Sequence, residues 1–265
     1  MNVNTPGTAK VLVLGSGTSH GVPMIGCDCA TCRSTDPRDA RSRASIFITL
    51  GQGPSILIDT SPDLRAQALA HGLQRVDAIL YTHSHADHVL GLDEVRRFNW
   101  LQREVIPCYG DERTLGDLRR IFAYAFDENA TQGGGIPRVA LFTLAGEFSI
   151  GAATILPIPL LHGEREILGY RFGSFAYLTD CSAIPDRSWA LLDGVRTVII
   201  DALRERPHPT HFSLNQALDV VKRLAPEHAY FTHMCHDLGH AATCARLPDG
   251  VELAYDGLAF DIDLT

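Results

Sequence analysis

"YTHSHADHVLGL", residues 81–92, is the stretch that decides how this chain is read. It sets His83, His85, Asp87 and His88 within six positions, directly behind "DAILYT" 77–82, an apolar run that reads as a strand. Side chains on a strand alternate between its faces, so His83 and His85, two residues apart, can share one ion. Asp87 and His88, past the turn, can face a neighbouring one. Isolated histidines mean little in a chain with 12 of them. Four ligand-type side chains at spacings of 2, 2 and 1 behind a strand describe a metal-binding loop.

Outward from this loop, short β-branched and aromatic runs recur along the chain. Those ahead of it are "VLVLG" 11–15, "SIFITL" 45–50 and "SILID" 55–59. Behind it come "VIPCYG" 105–110, "RVALFTL" 138–144, "ATILPIPL" 153–160, "ILGYRF" 167–172, "SFAYLTD" 174–180, "TVIID" 197–201, "HAYFTH" 228–233 and "LAFDI" 258–262. Several are apolar at consecutive positions, which suits sheets covered on both faces. Helical patterns fall over 63–71, 111–124, 186–193 and 213–224, the last with Ser213 as its cap. The expectation is an α/β fold with two sheets packed together and helices outside, in one domain over 1–265, without an internal short repeat. "GSGTS" 15–19 follows a strand but lacks a third glycine and a helical continuation, so it reads as a tight turn rather than a nucleotide loop.

The motif "THSHADH" resembles the HxHxDH signature of the metallo-β-lactamase superfamily, and further ligand positions occur in the expected order: His162 in "PLLHGE", Asp180 in "YLTD" and His233 in "FTHMCH". The resemblance implies an αββα four-layer sandwich with two divalent metals, Zn or Mn, in a cleft at one edge. His83, His85 and His162 would hold one metal, Asp87, His88 and His233 the other, and Asp180 would bridge them. Asp59, at the end of "SILID", matches a carboxylate that orients a ligating histidine in that superfamily; a turn-capping role is its alternative. Such a site implies hydrolysis by a metal-bridging hydroxide.

"GCDCATC" 26–32 carries three of the seven cysteines. The wider segment "GVPMIGCDCATC" is similar to one in the phosphoribosyl cyclic phosphodiesterases of the carbon–phosphorus lyase pathway (PhnP proteins), and pyrroloquinoline-quinone biosynthesis B proteins carry a related cluster. The resemblance implies one structural zinc on Cys27, Cys29, Cys32 and His236, closed and tetrahedral. Cys235 is the rival of His236. Cys108 and Cys181 read as small core residues, and Cys244 has no assigned place.

A diester needs a proton for its departing alkoxide, and histidine is the natural donor near neutral pH. In the same relatives a histidine in the loop matching "HPTHFSLNQAL" 208–218 approaches the scissile phosphate; His211 aligns with it and His208 is the neighbour in contention. His20 either lines the cleft mouth or is a solvated loop residue. Residues 96–137, with Arg96, Arg97, Trp100, Arg103 and the Gly-rich "ATQGGGIPR" 130–138, are a lid candidate; arginines on the wet side of a helix are the alternative.

The expected activity is therefore a dinuclear metal-dependent phosphodiesterase on a small phosphodiester, cyclic phosphoribosyl or nucleotide-like, with His211, Asp87 and Asp59 serving catalysis. The alternatives are a tRNA 3′-processing-type endonuclease and a lactone or thioester hydrolase. A formal net charge of −8 and no long basic arm weigh against a large nucleic-acid substrate. No run approaches a membrane span, and the thiol-rich cluster with no leader-like segment points to the cytoplasm. A homodimer is compatible with the sequence.

Overall fold

The computed structural model describes residues 7–51, 53–127 and 135–264. The strands are β1 (Thr8–Gly15), β2 (Ser45–Thr49), β3 (Ser55–Ile58), β4 (Ala78–Leu80), β5 (Ile106–Gly110), β6 (Val139–Thr143), β7 (Phe148–Ile150), β8 (Ala153–His162), β9 (Arg165–Phe172), β10 (Phe175–Leu178), β11 (Thr197–Asp201), β12 (His228–Thr232), β13 (Val251–Leu253) and β14 (Ala259–Asp263). The α-helices are α1 (Leu64–His71), α2 (Ala86–Val89), α3 (Val95–Gln102), α4 (Glu112–Ile121), α5 (Asp186–Trp189), α6 (Leu214–Leu224) and α7 (His240–Cys244).

Two seven-stranded sheets result, one ordered β14-β1-β2-β3-β4-β5-β6, the other β13-β12-β11-β10-β9-β8-β7. Each is antiparallel on one side and parallel on the other, switching at β3 in the first and at β10 in the second. The side chains sort by the two-residue strand period. Ile46, Ile48, Ile56 and Ile58 point between the sheets, where they join Ile155, Ile158, Tyr170 and Phe172. Phe47 and Leu57 point outward, against Leu64 of α1, Phe98 of α3 and Leu115 of α4. On the second sheet α6 buries Leu214, Ala217 and Val221, and Ser213 with Gln216 closes a capping box at its start. The architecture is the αββα sandwich, and buried side chains on both faces account for the consecutive apolar runs.

Short strands β7 and β13 and helix α7 escape the sequence reading because three to five residues carry too little periodicity. The span 96–137 is largely built into the fold: it contains α3, α4 and the half-buried strand β5, paired to β4 and β6. Arg97 stacks over the Trp100 ring at 4.3 Å and Arg96 pairs with Asp93, both on the solvated side of α3. Of the lid candidate, 128–134 lies outside the described residues. "GSGTS" is a crossing point: Gly17 bridges Arg43 and Met234, and a Cβ there would meet the Arg41 carbonyl oxygen at 2.8 Å.

Strand ends from both sheets converge at one rim, near the antiparallel-to-parallel switches, where open α/β sheets form crevices. Among the described residues, five other than glycine have left-handed backbone. Arg103 and Ala225 terminate α3 and α6, an ordinary place for it. The other three, Asp59 (φ 62°), Asp180 (φ 58°) and His233 (φ 59°), all lie on this rim. Strained backbone collected at one place marks it as a site.

Candidate active site

The ligand loop is fixed by backbone contacts to the turn after β3. Thr60 N donates to His88 O at 2.8 Å and Gly91 N to Thr60 O at 2.9 Å. A Cβ on Gly91 would lie 1.9 Å from the Ser61 carbonyl oxygen, so the glycine ending "HADHVLG" is required by close packing.

Four histidines of this rim are turned the same way. Thr82 Oγ1 spends its proton on Asp59 Oδ2 (2.7 Å), so it accepts from His83 Nδ1 at 3.0 Å. His88 Nδ1 donates to the same Asp59 oxygen at 2.7 Å, His162 Nδ1 to the Asp180 backbone carbonyl at 2.7 Å, and His211 Nδ1 to Asp201 Oδ2 at 3.0 Å. Each hydrogen bond fixes Nδ1 and aims Nε2 at the cluster, the arrangement that metal-ligating histidines need. Asp180 sits at the centre. One of its carboxylate oxygens is 3.3 Å from His83 Nε2; the other is 3.3 Å from His88 Nε2 and 2.8 Å from His233 Nε2. Asp87 Oδ2 lies 3.4 Å from His88 Nε2 and 3.5 Å from His233 Nε2. The rings of His85 and His162 are 4.9 Å apart, with His83 4.5 Å from His85.

Donor atoms of Asp87, His88, Asp180 and His233 lie within 4.8 Å of one another, as do those of His83, His85 and Asp180, and Asp180 belongs to both groups. Six of the seven positions expected from the sequence fall in these two groups; the donor of the seventh, His162, groups with Asp180 and His211, its ring 5.6 Å from that of His83. The donor set fits divalent cations. Nε2 of His83 and of His88 are buried and find no hydrogen-bond partner among the described residues, a costly condition unless something positive is bound there. The electrostatics agree. Burial lowers the His233 imidazole, but Asp180 and Asp87 outweigh it and push it up to about 10. Burial likewise disfavours charge on His88, and Asp180, Asp87 and Asp59 reverse that effect. The carboxylates thus hold positive charge in this pocket. On its other side, burial pushes His83 down to about 3 and His162 to about 4, leaving neutral imidazoles of the kind that ligate.

His211 adjoins this cluster, its ring 4.7 Å from His162 and 4.8 Å from His233. Asp201 is fully buried and lies 3.9 Å from His233 Nδ1 as well as bonding His211. His208 is one step further out, 5.1 Å from His211, with its Nδ1 taken up by Thr210. His20 is exposed and lines a cleft together with His208 and His211.

Asp201 is absent from the sequence reading, and the reason is instructive. "SILID" followed by "YTH" recurs as "TVIID" followed by "FTH". In both copies a strand ending in Asp pairs in parallel with the strand leading to a histidine, through a crossing helix, α1 or α6. This internal repeat, overlooked in the sequence, gives Asp201 on the second sheet a place matching that of Asp59 on the first.

At the second cluster Cys27 Sγ and Cys29 Sγ lie 3.1 and 3.3 Å from His236 Nδ1, and the four donor atoms of Cys27, Cys29, Cys32 and His236 fall within 4.8 Å of one another. The Cys32 amide donates to Cys29 Sγ and, with His236, lowers that thiol to about 6, toward the thiolate a metal needs. Cys235 is outside the group; its amide bonds Leu203 O and it faces the cleft. Buried Arg41 ties the two segments together, donating to Asp39 and to the carbonyls of Cys235 and Leu238. Cys108 and Cys181 are core residues, and Cys244, the last residue of α7, packs at the core's edge.

Strand order and rim together define a metallo-β-lactamase fold, which implies divalent metal binding. The sequence matches the Beta-lactamase superfamily domain over residues 55–234, and the chain belongs to that superfamily. Among solved structures it is similar to a diphosphatase from the PhnP family, with 45% identity, a TM-score of 0.91, and 97% of this chain and 98% of that one covered. Zinc-bound PqqB from Methylobacterium extorquens shares the fold at 20% identity and a TM-score of 0.72, over 96% and 100% of the two chains. The octanoyltransferase of Porphyromonas gingivalis W83 is 37% identical over 256 residues, 96% of this chain but 52% of that protein. The chain thus spans about half the length of that curated relative. Among the described residues no helix is long and apolar enough to cross a membrane.

Proposed function

We propose that this protein is a metal-dependent phosphodiesterase acting on a small, cyclic or nucleotide-like phosphodiester. His83, His85 and His162 would hold one divalent ion, Zn or Mn, Asp87, His88 and His233 a second, with Asp180 between them. Cys27, Cys29, Cys32 and His236 would hold a zinc with a purely structural role. The ions, when bound, acidify water and offset the charge that builds on phosphorus.

The observation that carries the reading is the Asp201–His211 pair beside the cluster. Asp201 accepts a hydrogen bond from His211 Nδ1 at 3.0 Å, which leaves Nε2 as the nitrogen that can take up and give away a proton. That suits a general acid for a departing alkoxide. Asp59 keeps His88 in register, and Asp180 and His233 hold left-handed backbone at the ends of their strands, next to the cluster. Likeness to a PhnP-family diphosphatase over nearly the whole chain supports phosphorus chemistry.

An acyl substrate is the second reading, favoured by one observation: 37% identity to a protein named for octanoyl transfer. A panel of bis(p-nitrophenyl) phosphate, a cyclic phosphate, a lactone and a thioester, assayed with Zn- and Mn-loaded protein, tests both. Cleavage of the diesters with inert acyl compounds is expected; the converse would transfer the site to acyl chemistry.

A further inference from the structure

Beyond His211 lies a cleft of about 270 Å³ that the metal-type cluster leaves unexplained. One part of its lining comes from the loop ahead of the cysteines, His20 and Met24, with His236 from the cysteine cluster itself. The other part is the 203–211 segment, with Arg204, Arg206, His208 and His211. His211 therefore belongs both to this cleft and to the cluster.

That double membership assigns the cleft a role, given the phosphodiesterase reading above. In the hydrolysis a water oxygen bonds to phosphorus and the bond from phosphorus to the departing oxygen breaks. The proton on His211 Nε2 goes to that oxygen, and the proton lost by water restores His211. The phosphorus lies against the cluster, so the group protonated by His211 departs on the cleft side. Charge then selects the group. Against Arg204 and Arg206, Asp237 is the one carboxylate among the described residues lining the cleft. Arg204 is committed to the carbonyls of Arg206 and Pro207, which fixes the loop. Arg206 is not: its side chain is 76% exposed and its nearest carboxylate oxygen, on Asp237, is 3.7 Å away, a weak surface pair that an anion can displace.

We propose that this cleft is the leaving-group site, that the cysteine-cluster loop is its far wall, and that it takes an alcohol bearing its own negative charge. Arg206 is the specificity-determining residue. The test uses metal-loaded protein and two methyl phosphodiesters that differ only in the departing alcohol: 2-hydroxyethanesulfonate, an anion that ligates metals poorly, and the neutral 2-(methylsulfonyl)ethanol. Wild type is expected to favour the anionic diester in kcat/KM by about tenfold, the worth of one charge-assisted contact. The ratio should fall toward one in Arg206→Ala, drop further in Arg206→Glu, and rise in Asp237→Asn. Unchanged melting temperatures show that the variants fold. Calorimetry with free 2-hydroxyethanesulfonate reads the cleft independently of turnover, with binding expected in wild type and loss in Arg206→Glu. A ratio at or below one, or a ratio and a binding isotherm unmoved by Arg206→Glu, overturns the proposal. If neither diester is cleaved, the phosphodiesterase reading fails, and calorimetry alone then decides whether the cleft holds anions.

Discussion

The histidine–aspartate cluster hangs on strand ends, whereas the cysteine cluster hangs on loops, and the two differ in what keeps their donors aimed. His83, His88, His162 and His211 each spend Nδ1 on a hydroxyl, a carboxylate or a carbonyl of the protein. Their orientation is therefore paid for by the fold. The thiols of 27–32 are partly exposed and are met by one another, His236 and two amides, Met24 N and Cys32 N. A preorganised site can receive and release reactants; the thiol cluster, if an ion orders it as proposed, would serve as a clasp.

That contrast can be broken, beginning where the effect is largest. Asp180→Ala removes the one carboxylate common to both donor groups; turnover of bis(p-nitrophenyl) phosphate should fall on the order of 10³-fold or more, and elemental analysis should show lost metal. His211→Ala should cost about 10²–10⁴-fold with metal content intact; normal turnover would remove its acid role. Asp201→Asn weakens an aiming contact, so a loss of about 10–100-fold and a displaced pH–rate profile are expected.

Cys29→Ser should spare most activity while releasing one zinc, and should lower the melting temperature by about 2–4 °C per kcal/mol lost. Hydrogen exchange after chelation sharpens the same point. Amides of 21–41 should exchange faster, and those of β4 and β12 should not; uniform loosening would erase the distinction drawn between the clusters. The smallest effect concerns pH. In chelated protein burial depresses His83 to about 3 and His162 to about 4 from 6.5, so the unfolded chain binds more protons below that value. These two groups should cost stability as pH falls from 6.5 through the folded values, whereas His233, raised to about 10, should cost stability as pH rises from 6.5 toward that value; urea midpoints should therefore fall on both sides of 6.5, with ion loading opposing the acid-side decline.

Much of the site was open to reading because its donors lie in short, dense strings. "HSHADH" and "CDCATC" keep local spacing whatever the fold does. Asp59 was legible as a strand end, and so, by the same mark, was Asp201, had "TVIID" been set against "SILID". Gly91 announces itself in the motif, but its reason, a 1.9 Å approach to Ser61, exists only across the turn after β3. Arg41 looks like any loop arginine; its complete burial between two segments nearly 200 residues apart is invisible in one dimension.

By itself the sequence determined the chemistry at hand: which donors exist, that strands deliver them, and that both sheets are covered by apolar residues. The tertiary structure alone decided how those donors meet. It put Asp201 behind His211, Arg41 between the two segments of the cysteine cluster, and Arg206 at the cleft. The physical reason is range. Periodicity and motif spacing express forces within a few residues, whereas hydrogen bonds and charges act between side chains that only the packed sheets bring to within 3 or 4 Å of each other.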